Sequence, residues 1–251
     1  RWVEDLESKA WPGFLTGMSG YEDFVMPVGM PIYFEDPFIT TDLRLLYMHH
    51  DIPSESALGN GQVHVAAAQI RVALSARLAF IVTKGGYSWV DSRATPEGDG
   101  WNDWGLGLKY ALYSDPEEQF LVSTGLRWEL SNGSAEAWQG GKSDELSPFV
   151  SVAKGWEKWH FLGALSGRDA GITSLVCILH WDYELTETFR PLVELHGIHY
   201  LSSADEFPYR ADYLDVGSLG ATDVTGRDFF SAGFGFRWQA MDNVSVGLTY
   251  E

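Results

Sequence analysis

Large apolar side chains alternate with small or charged ones along residues 104–130. Leu106, Leu108, Tyr110 and Leu112 alternate with Gly105, Gly107, Lys109 and Ala111. After Ser-Asp-Pro-Glu-Glu the pattern resumes, with Phe120, Val122, Thr124, Leu126, Trp128 and Leu130 set against Leu121, Ser123, Gly125, Arg127 and Glu129. A period of two places the two sets on opposite faces of a strand, so the stretch reads as two strands and a turn. A soluble sandwich fills its inner face with branched aliphatics, whereas one face here is small, glycine-rich or charged. Apolar outward and polar inward is the pattern of a barrel in lipid.

The alternation recurs. It predicts strands at 41–50, 62–74, 77–87, 104–113, 119–130, 147–156, 159–168, 172–185, 188–201, 228–239 and 243–251, eleven in all. Tight connections alternate with long ones, at 51–61, 88–103, 131–146 and 202–227, with 169–171 as the exception. Short turns on one rim and long loops on the other belong to outer-membrane barrels, and closure of such a meander leaves no unpaired edge in lipid. Bacterial barrels have even strand counts. The last alternation, Val244, Val246, Leu248 and Tyr250, is still running at Glu251. The expected fold is therefore an all-β, up-and-down antiparallel transmembrane barrel of about twelve strands, occupying 41–251 and lacking its last strand. Lys84 and Lys154 fall on faces that should meet lipid, and a bulge or a rim position is needed to accommodate them. Trp101, Trp104, Trp128, Trp156, Trp159, Trp181, Tyr183 and Trp238 lie near strand ends, as aromatic girdles do.

Residues 1–40 do not share the pattern. Trp2, Leu6 and Ala10 fall on one side of a short helix ended by Pro12. Pro27, Pro31 and Pro37 with Gly13, Gly17, Gly20 and Gly29 then read as irregular chain. This extension is expected to plug the lumen, to dock on another protein, or to be loosely tied.

Composition narrows the function. No run approaches the ~18 apolar residues of a membrane helix, a test that barrels escape because their apolar residues are spread over alternate positions. A net charge of -18, from 17 basic and 35 acidic residues, excludes a general affinity for nucleic acid. Cys177 is the only cysteine, so no intrachain disulfide can form.

The strands Gly-Leu-Gly-Leu-Lys-Tyr (105–110), Gly-Leu-Arg-Trp-Glu-Leu (125–130) followed by Ser-Asn-Gly, and Gly-Phe-Gly-Phe-Arg-Trp (233–238) carry a likeness. Over about residues 40–251 the chain resembles the bacterial outer-membrane transporter family associated with the meta-pathway of phenol degradation. That resemblance implies an outer-membrane channel for small, hydrophobic or aromatic solutes, with the lipid bilayer and the solute as its partners. The proline-containing N-terminal region lies outside the family pattern.

Candidate chemistry sits on the inward positions. The pore-lining set is Arg71, Lys109, Arg127, Glu129, Asp182, Glu184, Arg190, Glu194 and Arg237, with Asp42, Arg44 and Arg77 alongside. These residues form either a charged constriction or cross-strand ion pairs that fill the interior. Acidic residues gather in the long loops: Asp91, Glu97, Asp99 and Asp103, then Glu136, Asp144 and Glu145, then Asp205, Glu206, Asp212, Asp215, Asp223 and Asp228. They read as a solvated rim, since no spacing matches a calcium loop. His49 with His50, and His196 with His199, point to opposite faces and do not form ligand pairs. His180, Asp182 and Glu184 share an inward face without a neighbouring nucleophile, so no catalytic residue, cofactor or metal is assigned. The alternative to a channel is a structural barrel that binds proteins through residues 1–40 and its long loops. A soluble β-sandwich or ligand-binding barrel is third.

Overall fold

The structure is a computed structural model that describes residues 12–141, 143–169, 172–203 and 222–251. The helix expected around Trp2, Leu6 and Ala10, and the acidic positions Asp205, Glu206, Asp212 and Asp215, lie outside the described residues. Among the described residues thirteen strands form one antiparallel sheet: β1 (Asp42–Ile52), β2 (Gly61–Ala73), β3 (Leu78–Lys84), β4 (Gly86–Ser92), β5 (Thr95–Trp101), β6 (Trp104–Asp115), β7 (Phe120–Leu130), β8 (Glu145–Trp156), β9 (Trp159–Asp169), β10 (Thr173–Tyr183), β11 (Phe189–Tyr200), β12 (Asp228–Met241) and β13 (Val244–Tyr250). No helix among the described residues is long and apolar enough to cross a membrane.

Consecutive strands pair around the wall, except where β2 meets two strands at once. β3 lies against its lower half, from Ile70↔Val82 to Ala73↔Ala79, and β4 against its upper half, from Ala67↔Gly86 to Gly61↔Ser92. β6 pairs with β3 and β5 with β4 in the same sense. β3 with β4, and β5 with β6, are thus two long strands, so thirteen segments trace eleven paths. Residues 88–103, expected as a long loop, are instead a projecting hairpin turned at Arg93 and Ala94. Its Gly, Asp and Pro content argues for loop, but tertiary contacts override that preference. Tyr87 meets Trp101 edge-on at 5.4 Å. Gly98 and Gly100 also lie so close to residues 134–137 that an added Cβ would sit 2.2 Å from the Glu136 carbonyl oxygen and 2.2 Å from Ser134 Cβ.

The faces follow the alternation. Leu43, Leu45, Tyr47, Leu108, Tyr110, Leu126, Phe230 and Phe234 point outward and are exposed, as is Cys177. Trp101, Trp104 and Trp128 lie towards the long-loop rim, with Trp156, Trp159 and Trp238 towards the short-turn rim. A register shift between Val82 and Lys84 brings Lys84 opposite Gly105, where it pairs with Glu129. Lys154 stays at the rim, 5.8 Å over the Trp156 ring and bonded to the Glu118 carbonyl. β1 pairs only with β2 and β13 only with β12, so the edge strands are not hydrogen-bonded to each other.

The buried core lies on the concave side. Tyr21, Phe24, Met30, Tyr33, Phe34, Phe38 and Ile39 of the N-terminal segment pack against Ile81, Leu121, Phe149, Leu162, Ile178 and Ile198 of the wall. The inward face is therefore mixed: charged where it meets backbone or carboxylates of the segment, aliphatic where it meets the segment's aromatic rings.

Candidate functional site

Residues 12–41 enter at the short-turn rim, rise inside the curved sheet and return to start β1. At the entry, Ala76 N donates to the Pro12 carbonyl and Leu15 N to the Ala73 carbonyl. Tyr21 donates its hydroxyl to the Phe120 carbonyl at 3.0 Å, and Gln119 Nε2 donates to the Gly20 carbonyl at 2.6 Å. Phe24 lies 5.1 Å from Phe38 and 4.9 Å from the His160 ring. Near the apex the Arg168 guanidinium sits 4.8 Å over the Tyr33 ring, while its Nη2 holds Glu145 at 2.7 Å. On the way back Ser123 donates to the Pro37 carbonyl and Met18 N to the Ile39 carbonyl.

An ion network fixes the returning limb. Glu35 accepts from Arg71 Nε at 3.0 Å and Nη2 at 2.8 Å, and from Lys109 Nζ at 2.7 Å. Asp36 accepts from Lys109 Nζ at 3.1 Å and Arg44 Nη2 at 2.8 Å, and Arg44 Nε also reaches Asp42 at 3.0 Å. Three cations thus meet three carboxylates. Glu35, Asp36, Arg71 and Lys109 are almost wholly buried, which is tolerable only because every charge is paired and hydrogen-bonded. Burial alone raises the Asp36 carboxyl, but Lys109, Arg44 and Arg71 outweigh it and hold Asp36 well below the usual carboxylate range. Glu35 is lowered too, with desolvation opposed mainly by Arg71 and Lys109.

The other inward cations grip backbone. Arg127 Nη1 donates to the Ile32 carbonyl at 2.5 Å, and Arg190 Nη1 donates to the Asp23 carbonyl. Arg237 donates through Nε to Met26 O and through Nη2 to Pro27 O, each at 2.9 Å. Gln69 donates to the Pro31 carbonyl at 2.8 Å. Glu194 works in the opposite sense, accepting from Val28 N at 2.8 Å and Gly29 N at 2.6 Å.

Of the nine positions read as pore-lining, Arg71, Lys109, Arg127, Arg190, Glu194 and Arg237 contact the segment directly. Asp182 lies buried beside His160 and His180. Glu184 stands at the short-turn rim, 3.6 Å from Arg190, and Glu129 is used by Lys84. Arg77, expected inward, is exposed in the β2–β3 turn. The set therefore matches neither a bare charged constriction nor a simple ladder of cross-strand pairs, because most of its members bind a segment lying between the walls.

Sequence reading did not single out the segment's own charges. Glu35 and Asp36 sit among Ile32, Tyr33, Phe34, Pro37, Phe38 and Ile39, and such an acidic pair in apolar surroundings is a signal for buried cationic partners. Asp103, assigned to the solvated rim, is instead buried and accepts from Asn132 N, Gly133 N and Gly140 N at 2.9, 2.6 and 3.0 Å, folding the 131–141 loop around itself. Asp144 accepts from Trp128 Nε1 and Ser131 N, each at 2.9 Å. No group of three or more His, Cys, Asp or Glu side chains among the described residues is arranged to hold a metal ion. A cavity of about 250 Å³ opens at the short-turn rim between residues 22–25 and Glu187, Thr188, Arg190, Arg237, Gln239 and Asp242.

No protein-family model matches the chain, and no curated protein matches it. Its fold is similar to a crystal structure of an outer membrane channel from Pseudomonas putida F1, with a TM-score of 0.52 over 90% of this chain and 96% of that one. The two are 11% identical, so the likeness is one of fold. The chain has the antiparallel all-β architecture of an outer-membrane β-barrel channel.

Proposed function

We propose that this protein is a bacterial outer-membrane channel for small solutes, with residues 12–41 as a plug, and that passage requires displacement of the plug. One observation carries the reading. A wall with lipid-compatible side chains outside holds a polar-backboned, proline-rich segment inside, gripped by Arg71, Lys109, Arg127, Arg190 and Arg237. Side chains that line a lumen and bind a displaceable segment can also bind a solute that replaces it. The likeness to an outer membrane channel supports the location and the channel class. The narrower reading, a transporter of hydrophobic or aromatic compounds of the meta-pathway type, rests on the strand motifs of residues 105–110, 125–130 and 233–238. The reaction is passage, with no chemical step assigned to any residue.

Liposome swelling with phenolic acids, sugars and amino acids tests this. Swelling that rises when Glu35→Gln loosens the plug is expected. Absence from outer-membrane fractions, or no swelling with either form, would remove the proposal. The filled lumen also favours a second reading, a structural barrel that docks protein partners, which is marked by stable co-purification with a partner and no conductance in any plug variant.

A further inference from the structure

An alternating chain of carboxylates and imidazoles crosses the inner wall from β9 to β13. His160 Nδ1 lies 2.9 Å from Asp182 Oδ1, and Asp182 Oδ2 lies 3.2 Å from His180 Nε2. His180 Nδ1 is 2.8 Å from Glu194 Oε1, Glu194 Oε2 is 3.7 Å from His196 Nε2, and His196 Nδ1 is 2.9 Å from Glu251 Oε1. The sheet register builds it: His160 is the cross-strand partner of Asp182, and His180 of Glu194. All but Glu251 are buried.

His180 is the informative member. Each of its ring nitrogens faces a carboxylate oxygen. A neutral imidazole has one N–H and one lone pair, and would set that lone pair against an anion, whereas imidazolium donates on both sides. Glu194 passes the arrangement to the plug through Val28 N–H and Gly29 N–H. Gly29 permits this approach, because a Cβ there would lie 2.5 Å from Glu194 Oε2.

We propose that His180 is carried as an imidazolium and that its deprotonation releases residues 26–32 from the inner wall, a protonation-controlled latch. In the step His180 gives one proton to water, its lone pair then opposes Asp182 or Glu194, and the two carboxylates lose their shared counter-charge. The other titratable or charged groups facing this site are His160 on β9, Arg190 and His196 on β11, Arg237 on β12 and Glu251 just after β13. The plug presents backbone there, through Val28, Gly29 and the Asp23 carbonyl bound to Arg190. His180 is the ring that stands between Asp182 and Glu194, and Glu194 is the carboxylate that holds Val28 and Gly29. The role in gating rests on the plug reading above, while the latch itself can be measured without conduction.

Hydrogen exchange of the full chain in detergent, followed on a peptide spanning residues 26–32 and corrected for the intrinsic pH dependence of exchange, reads the latch directly. Protection should fall about tenfold between roughly pH 7 and 10, the loss of about one charge-assisted hydrogen bond. His180→Gln should be poorly protected at neutral pH and show no further fall. Nitrogen NMR of the imidazole should show both His180 nitrogens protonated at neutral pH. Unchanged wild-type protection across that range, or a neutral His180 tautomer at neutral pH, would overturn the proposal even if His180→Gln fails to fold. Switching protection without conductance would keep the latch and remove the channel reading, whereas conductance with flat protection would do the reverse.

Discussion

Lys109, at an inward position of β6, donates to Glu35 at 2.7 Å across 74 residues of sequence, and the two side chains are 0% and 1% exposed. This pair joins the two parts of the molecule. β6 supplies a cation that pairs with no wall carboxylate among the described residues, and the N-terminal segment supplies the anion. Each makes the burial of the other tolerable.

Removing one partner should therefore cost far more than removing both. Glu35→Gln leaves Lys109 and Arg71 undercompensated and should destabilise the seating of the plug by about 3–5 kcal/mol. The Glu35→Gln, Lys109→Met double variant should recover a large part of that loss. Limited proteolysis within residues 12–41, read as a double-mutant cycle, checks this, and simple additivity would refute a direct pairing.

Acid should release this limb only late. Glu35 and Asp36 have folded pKa values below their unfolded ones. Their stabilisation is thus fully present above the unfolded values near ~4 and is lost as pH falls through the depressed folded values. Pepsin at roughly pH 3–4, below or near ordinary carboxylate pKa values, should leave residues 33–39 uncut in the wild type. Early cleavage there would contradict the network.

Arg127 steadies the ascent near Ile32 and stacks 5.8 Å from the Phe149 ring. Arg127→Glu should set an anion against the Ile32 carbonyl, raise conductance and shift selectivity towards cations in planar bilayers. Arg127→Met should raise conductance without the charge shift. If both variants conduct as the wild type does, Arg127 neither holds the plug nor faces the path.

The outer face makes an independent prediction. Leu108 is half exposed on β6 and flanked by outward Leu106 and Tyr110. Leu108→Arg should destabilise the barrel by about 2–4 kcal/mol in phospholipid, as expected for a cation near the bilayer midplane. Chemical unfolding in vesicles measures it, and an unchanged midpoint would argue that this face does not meet lipid.

Much of the wall was legible because strand alternation is local: a side chain's face depends only on whether its position is odd or even. That placed Lys109, Arg127, Glu194 and Arg237 inward, and it separated His196 from His199, which pairs outside with Asp228. Arg77 was misplaced because a tight turn ends the alternation before it. The hairpin at 88–103 was missed because its strand character comes from packing on residues 134–137, not from its own composition.

Sequence by itself determined the face of most wall residues, the sense of the inverted pattern and the positions of the short turns, since these follow from a period of two and from turn chemistry. Tertiary structure alone decided what the inward charges do. The segment that carries Glu35 and Asp36 has no periodicity to align with the strands, and its pairing with Arg71, Lys109 and Arg44 exists only once the sheet curves around it. Strand register likewise joined His160, Asp182, His180, Glu194, His196 and Glu251, residues from three strands and the position just after β13, into one hydrogen-bonded and ion-paired line. Contacts across a curved wall depend on strand register and on the distance between walls, and neither quantity is written in the local alternation.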